Sequence, residues 1–240
     1  MRKMYLSAPL PFVGQKRMLA KEFMKVLEQY PDGTLFVDLF GGSGLLSHIT
    51  KSLKPHSTVI YNDFDNYRFR MKHIPQTNQL LADIREMVGN SVPRHKIIKG
   101  ELRERIFSRI EQEENSTGYV DFITLSSSIL FSMKYKLSVQ DMRKEALYNN
   151  IRKTGYPECT DYLEGLEIVS CDYKEVFNRY KDIPGVVFLV DPPYLSTDVG
   201  TYNMYWNMAD YLDVLNVLKG HSYVYHIQQI FNSGAVRMDR

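Results

Sequence analysis

The sequence predicts an α/β fold, a Rossmann-like doubly wound sheet carrying a mostly helical insert. Three observations predict it. Apolar strands near 34–39, 57–62, 166–170, 185–190 and 222–226 alternate with helical stretches near 16–29, 44–53, 173–181 and 209–219, the pattern of a largely parallel sheet with helices on both faces. The first strand runs straight into a glycine-rich turn, Phe40-Gly41-Gly42-Ser43-Gly44, and the strand Val186 to Val190 runs into Asp191-Pro192-Pro193-Tyr194. Between these halves, from about Ile84 to Asp161, the pattern changes to mixed helices rich in basic residues.

Strand, glycine turn and helix form the nucleotide-binding opening of such a sheet, because glycine lets backbone approach a ligand closely. No Gly-Lys-Ser/Thr follows, and Leu45 and Leu46 come after Gly44 without a further glycine, so the ligand expected is nucleoside-like and lacks a pyrophosphate. The second strand ends in Asn62-Asp63-Phe64-Asp65. An acid about twenty residues beyond the glycine turn is placed to accept hydrogen bonds from ribose hydroxyls; Asp63 is assigned that role and Asp65 that of a helix cap.

The tetrapeptide at Asp191 makes a rigid, shallow notch. Proline fixes φ and cannot donate, so the carbonyls around Pro192 are expected to point outward as acceptors beside the Asp191 carboxylate, and Tyr194 offers a stacking face. That is chemistry for holding a planar amine. The insert reads as one region within a single domain because the nucleotide-binding elements resume after it: 1–83 and 162–240 form the ligand-binding catalytic domain, 84–161 the inserted region.

The 240-residue chain carries a formal charge of +2 and two cysteines, Cys159 and Cys171. The charge provides no strongly basic stripe, although Arg2, Lys3, Lys16, Arg17, Lys21 and Lys25 against Glu22 could meet phosphates. The cysteines read as structural, the histidines show no ligand spacing, and no apolar run is long enough for a membrane span or signal peptide, so a cytoplasmic protein without a metal is expected. In the segment Phe131 to Lys136, aromatic and basic residues suggest a nucleic-acid surface, with core packing the expectation for Phe131 itself.

Together these residues resemble the DNA adenine N6-methyltransferases, S-adenosylmethionine-dependent enzymes with an Asp-Pro-Pro-Tyr motif. The resemblance runs in linear order through Pro11-Phe12-Val13-Gly14-Gln15-Lys16, Asp38 to Gly44, Asp63, the insert, Cys171-Asp172 and Asp191 to Tyr194. It implies S-adenosylmethionine as cofactor, held by Phe12, Lys16, Asp38, Phe40, Gly42, Gly44, Asp63 (ribose), Asp172 (adenine) and Asp191. It also implies a methyltransferase sheet, catalysis by Asp191, Pro192, Pro193 and Tyr194, double-stranded DNA with a flipped adenine as partner, target recognition by residues 84–161, and a link to restriction–modification.

The exocyclic amine of adenine is a poor nucleophile because its lone pair is delocalised, so two acceptors, Asp191 and the Pro192 carbonyl, are expected to draw it toward tetrahedral geometry while Tyr194 stacks on the base. Rotating the base out of the duplex costs a few kcal/mol. Tyr202, Tyr205 and Trp206 are candidates to close over it. Competing readings are a related RNA or protein-glutamine methyltransferase and a catalytically impaired remnant. The last is motivated by Gln15, where Gly is usual beside Lys16, and by the carboxyl end. Five strands are used by Tyr225, whereas the fold resembled has seven. The codons of the tail from His226 can, in another frame, encode an apolar strand end, a Ser-Asn turn and an amphipathic helix. Missing carboxyl-terminal strands are therefore expected, with Ser222 to Tyr225 an uncovered edge prone to pairing with another chain. Low stability and weak or absent methylation would accompany that loss. The basic, Asn-rich hairpin that reads DNA in the best-known members has no clear counterpart in this sequence.

Overall fold

The computed structural model describes residues 3–12, 20–131, 134–193, 208–225 and 236–237. Its main sheet is built from β1 (Phe36–Asp38), β2 (Val59–Asn62), β5 (Glu167–Val169), β6 (Val187–Val190), β7 (Ser222–Tyr225) and β8 (Val236–Arg237) in the order β5-β2-β1-β6-β7-β8. All neighbours are parallel except β7 and β8. The chain leaves β1 toward β2 and β5, then crosses back to lay β6 against the other side of β1. That reversal is a topological switch point, and loops leaving the carboxyl ends of β1 and β6 open onto one crevice.

Alternation of side chains explains why both faces are covered. Val37, Ile60, Phe188 and Val190 point to one face and pack with Val176 and Phe177 of α8 (Tyr173–Tyr180) and Val214 and Leu218 of α9 (Met208–Leu218). Phe36, Val59, Val187 and Leu189 point to the other, against Ala20, Phe23 and Leu27 of α1 (Ala20–Glu28) and Leu45 and Ile49 of α2 (Leu45–Leu53). Over the described residues, the predicted strands and helices thus fall where the sequence placed them, with ends within about two residues of those expected.

A third cluster serves the insert. It joins α3 (Tyr67–Lys72), α4 (Ile74–Val88), α5 (Gly100–Thr117), α6 (Phe122–Ile129) and α7 (Val139–Arg143) through residues such as Tyr67, Leu81, Ile84, Phe107, Ile110, Leu125 and Met142. α4 crosses the predicted boundary at residue 83, and the cluster draws in Leu10 and Tyr162 from the sheet half. Sheet and insert therefore share buried contacts. Buried His48 on α2 adds a tie: its Nε2 accepts the Tyr5 N–H at 2.9 Å, so Nδ1 carries the proton and donates to the Tyr162 carbonyl at 2.7 Å.

Four expectations are corrected. Asp65 does not cap the helix after β2; Asp63 does, accepting the N–H groups of Tyr67 (2.6 Å) and Arg68 (3.1 Å), while Asn66 takes the left-handed N-cap position. Phe131 is no core residue but 58% exposed, its ring 5.7 Å from that of Tyr148. The insert contains strand after all: β3 (Ile97–Ile98) pairs antiparallel with β4 (Leu147–Tyr148). The β7 edge is also partly covered, because Val224 and Tyr225 pair with Arg237 and Val236.

Candidate active site

The glycine turn after β1 is shaped by lack of space. A Cβ on Gly41 would lie 2.2 Å from the Asn62 carbonyl oxygen and 2.4 Å from the Tyr61 ring, distances that only a residue without a side chain tolerates. Gly44 closes the turn with φ 73, donating its N–H to the Gly41 carbonyl at 2.8 Å and starting α2. Over Gly42, whose φ is 52, stands the Phe12 ring, 3.0 Å from where a Cβ would be. Phe12 is braced edge-on by Tyr67 at 5.8 Å. The turn and this aromatic wall form a narrow seat.

Asn62 fixes the neighbouring strand ends. Its amide donates to the carbonyls of Leu39 and Cys171, both at 2.9 Å, and accepts the Cys171 N–H at 3.2 Å. One buried side chain thereby links the carboxyl ends of β1, β2 and β5. Sequence reasoning missed it, although a polar residue closing the apolar run Val59-Ile60-Tyr61 was the available signal.

Asp63 follows directly and is 4% exposed. Its Oδ1 meets the Tyr61 hydroxyl (3.0 Å) and the Tyr67 N–H, and Oδ2 the Arg68 N–H. Burial pushes its carboxyl upward, opposed by these hydrogen bonds. Oδ2 retains acceptor capacity for another donor. Asp172 is half-buried and caps α8 by accepting the Lys174 N–H at 2.8 Å. Phe40 packs on Tyr173 with ring centroids 5.0 Å apart.

Asp38 faces inward, 1% exposed, and accepts the Ser47 hydroxyl at 2.7 Å. Burial pushes its carboxyl up to about 7; the nearby charge of Asp191 adds to the rise, and Ser47 with the Phe40 and Gly41 N–H groups opposes it. Asp38, which ends β1, thus feels the charge of Asp191, which follows β6 across the switch point. Asp191 is half-buried, Pro192 buried and Pro193 half-buried. The Pro193 carbonyl accepts the hydroxyl of Tyr211 on α9. Lys16, Tyr194, Tyr202, Tyr205 and Trp206 lie outside the described residues, as do Arg2, Arg17 and Gln15.

The structure therefore gathers Phe12, Phe40, Gly42, Gly44, Asp38 and Asp63 around the ends of β1 and β2, with Asp172 after β5 and Asp191 after β6. Cys159 and Cys171 are free thiols. Among the described residues no group of three or more His, Cys, Asp or Glu could hold a metal ion, and no helix is long and apolar enough to cross a membrane.

Known proteins resemble this chain along most of its length. A "Putative methyltransferase" of Haemophilus influenzae is 38% identical over 224 residues, covering 91% of this chain and 75% of that protein. Residues 12–226 match the family described as D12 class N6 adenine-specific DNA methyltransferase. That span runs from the aromatic wall at Phe12 through the insert to the end of β7. The chain belongs to this family, and its activity is adenine-specific methylation of DNA.

Proposed function

We propose that the crevice takes S-adenosylmethionine between Phe12, the Gly41–Gly44 turn and Asp63, and a flipped adenine of double-stranded DNA against Asp191 to Tyr194. The observation that carries the reading is the convergence of a side-chain-free turn under an aromatic wall with a buried acid, beside a second acid across the switch point. The seat fits the cofactor: it is apolar where a nucleoside or methylene chain would pack and offers Asp63 Oδ2 to a ribose hydroxyl. Lys16 is assigned the methionine carboxylate, Asp172 the adenine, and Asp38, Phe40, Gly42 and Gly44 the shape of the seat. When bound, the cofactor supplies a sulfonium-activated methyl group.

The chain's own groups act on the amine. Asp191 and the Pro192 carbonyl accept its two N–H bonds and so favour a localised lone pair, and Tyr194 stacks on the base. Acceptors aimed at the charge that develops during transfer assist the transition state more than the bound base. Burial, and after it the charge of Asp191, raises the Asp38 carboxyl to about 7, which reduces the negative charge in the crevice toward the acid side of neutrality.

Residues 84–161 are assigned target recognition. Support comes from the β3–β4 ribbon, which carries the exposed run Arg94, His95, Lys96, Ile97 and Lys99 on one side, Arg94 Nη1 donating to the Ile151 carbonyl at 2.7 Å, and on the other Tyr148, against whose ring exposed Phe131 lies. Asn149 and Asn150 hold the ribbon together, Asn149 exchanging backbone bonds with His95 and Lys96 and Asn150 meeting the His95 ring at 2.9 Å. By contrast, Arg109 is occupied by Asp83 and Glu113, and Arg143 by Glu104 and Glu111. Those arginines knit the insert; the ribbon faces outward.

The test is transfer of labelled methyl from S-adenosylmethionine to DNA by Asp191→Ala. Turnover is expected to fall by about a hundredfold or more with cofactor affinity little changed, since the acceptor acts as the amine changes geometry. Unchanged turnover removes Asp191 from the mechanism, and labelling of RNA or a protein glutamine in place of DNA sinks the DNA assignment.

A further inference from the structure

We infer that Arg70 is a positioning residue through which the inserted helices set the wall of the cofactor seat, an inference that rests on the cofactor placement proposed above. Arg70 sits on the short helix α3 and is 6% exposed. Its Nε–H edge faces Asp121, at 3.1 and 3.2 Å from the two carboxylate oxygens. Its Nη2 donates to the Thr124 hydroxyl at 3.2 Å and to the Pro11 carbonyl at 2.8 Å. Asp121 is also the N-cap of α6, accepting the Thr124 N–H at 3.1 Å and the Thr124 hydroxyl at 2.7 Å.

One planar cation thus bridges the start of an insert helix and the peptide that carries Phe12. The neighbouring Tyr67 hydroxyl holds the same strip one residue earlier, lying 2.9 Å from the Leu10 nitrogen and 3.2 Å from its oxygen. α3 itself is capped by Asp63. From the ribose-contacting acid, through α3, to the ring over Gly42, each link is a hydrogen bond or ring contact.

Two features point to positioning beyond general cohesion. Among the described residues the buried Arg70 Nη1 has no hydrogen-bond partner, an arrangement that a well-packed apolar residue would avoid if stability were the only requirement. The bridge also needs the guanidinium fork: a lysine ammonium is a compact point charge and does not reproduce its planar set of donors to Asp121, Thr124 and Pro11.

Calorimetric titration of S-adenosylhomocysteine into the full chain, with melting temperatures measured in parallel, tests the inference. Arg70→Lys is expected to weaken binding by about tenfold, and combining it with Phe12→Ala should weaken binding no more than about twofold beyond Phe12→Ala alone, because the first acts through the second. Ile110→Ala, buried in the same cluster with an apolar side chain that takes no part in the bridge's hydrogen bonds, should lower the melting temperature yet leave affinity within about twofold. Wild-type affinity in Arg70→Lys, multiplicative losses in the double variant, or an equal loss of affinity in Ile110→Ala each overturn the inference. A wild-type chain that takes up no S-adenosylhomocysteine overturns the cofactor placement, and this inference with it.

Discussion

The two sides of the switch point are secured differently. Toward β5, one buried amide, Asn62, locks three strand ends together with Asp63 held rigidly beyond it. Toward β7, the strip that follows β6 is met by a hydroxyl from a helix, Tyr211 on Pro193. The side assigned to the cofactor is anchored directly in the sheet, whereas the side assigned to the flipped base includes support from α9. A seat on rigid elements is preorganised; a strip braced by a helix side chain can adjust when a base arrives.

Asn62→Ala should break this contrast most severely. It leaves the buried Leu39 carbonyl and the half-buried Cys171 carbonyl and N–H without their partner, and a stability loss of about 3 kcal/mol is expected, read as a lower urea midpoint at unchanged slope. A smaller loss than that of Tyr211→Phe would reverse the comparison.

The Asp38–Asp191 pair, which spans the two sides, predicts a pH effect of intermediate size. Unfolded, Asp38 titrates near 3.8; folded, it holds its proton up to about 7. The native state therefore binds the proton more tightly. Its contribution to stability is complete below about pH 4 and is lost as pH rises toward 7. Asp38→Asn should flatten that part of the stability profile, and Asp191→Asn should move the Asp38 midpoint downward in a carbon-detected NMR titration. An unmoved midpoint would show that the two sides are not electrostatically joined.

Tyr211→Phe is the mildest change. Loss of its hydrogen bond should cost about 1 kcal/mol of stability and lower turnover while sparing S-adenosylhomocysteine affinity. Equal damage to affinity would mean that α9 supports both sides alike.

The alternation of strands and helices, the glycine turn and the acids at strand ends were legible because each depends on neighbours within a few residues. Gly41 and Gly44 report local backbone demands, and Val186 to Val190 reports a strand buried on both faces. Other determinants depend on partners far along the chain. Asn62 meets Cys171, 109 residues away, and Arg70 meets Asp121, 51 residues away; no periodicity encodes such pairs. Arg70 does lie three positions beyond buried Tyr67, on the inward side of α3, which was the available hint. The ribbon was hidden because β3 and β4 are two residues each and lie on opposite sides of α5, α6 and α7. Phe131 shows the converse: an aromatic residue carries no local sign of which way it faces. Asp63, the acid proposed for ribose, caps α3.

The strand order also bears on how the chain matures during synthesis. β1 is the centre of the sheet, yet its partner on one side, β6, is made only after β2, the whole insert and β5 have emerged, as the pairing of Val37 with Phe188 requires. Until then the apolar edge of β1 is open to wrong partners, and closing so long a loop is slow. The insert can collapse around its own cluster in the meantime, since most of that cluster comes from residues between Tyr67 and Tyr162. By bringing α3 and the Tyr162 region together, it shortens the search that delivers β5 to β2. Early collapse of the helices between the two halves of the sheet is therefore expected to speed the pairing of those halves.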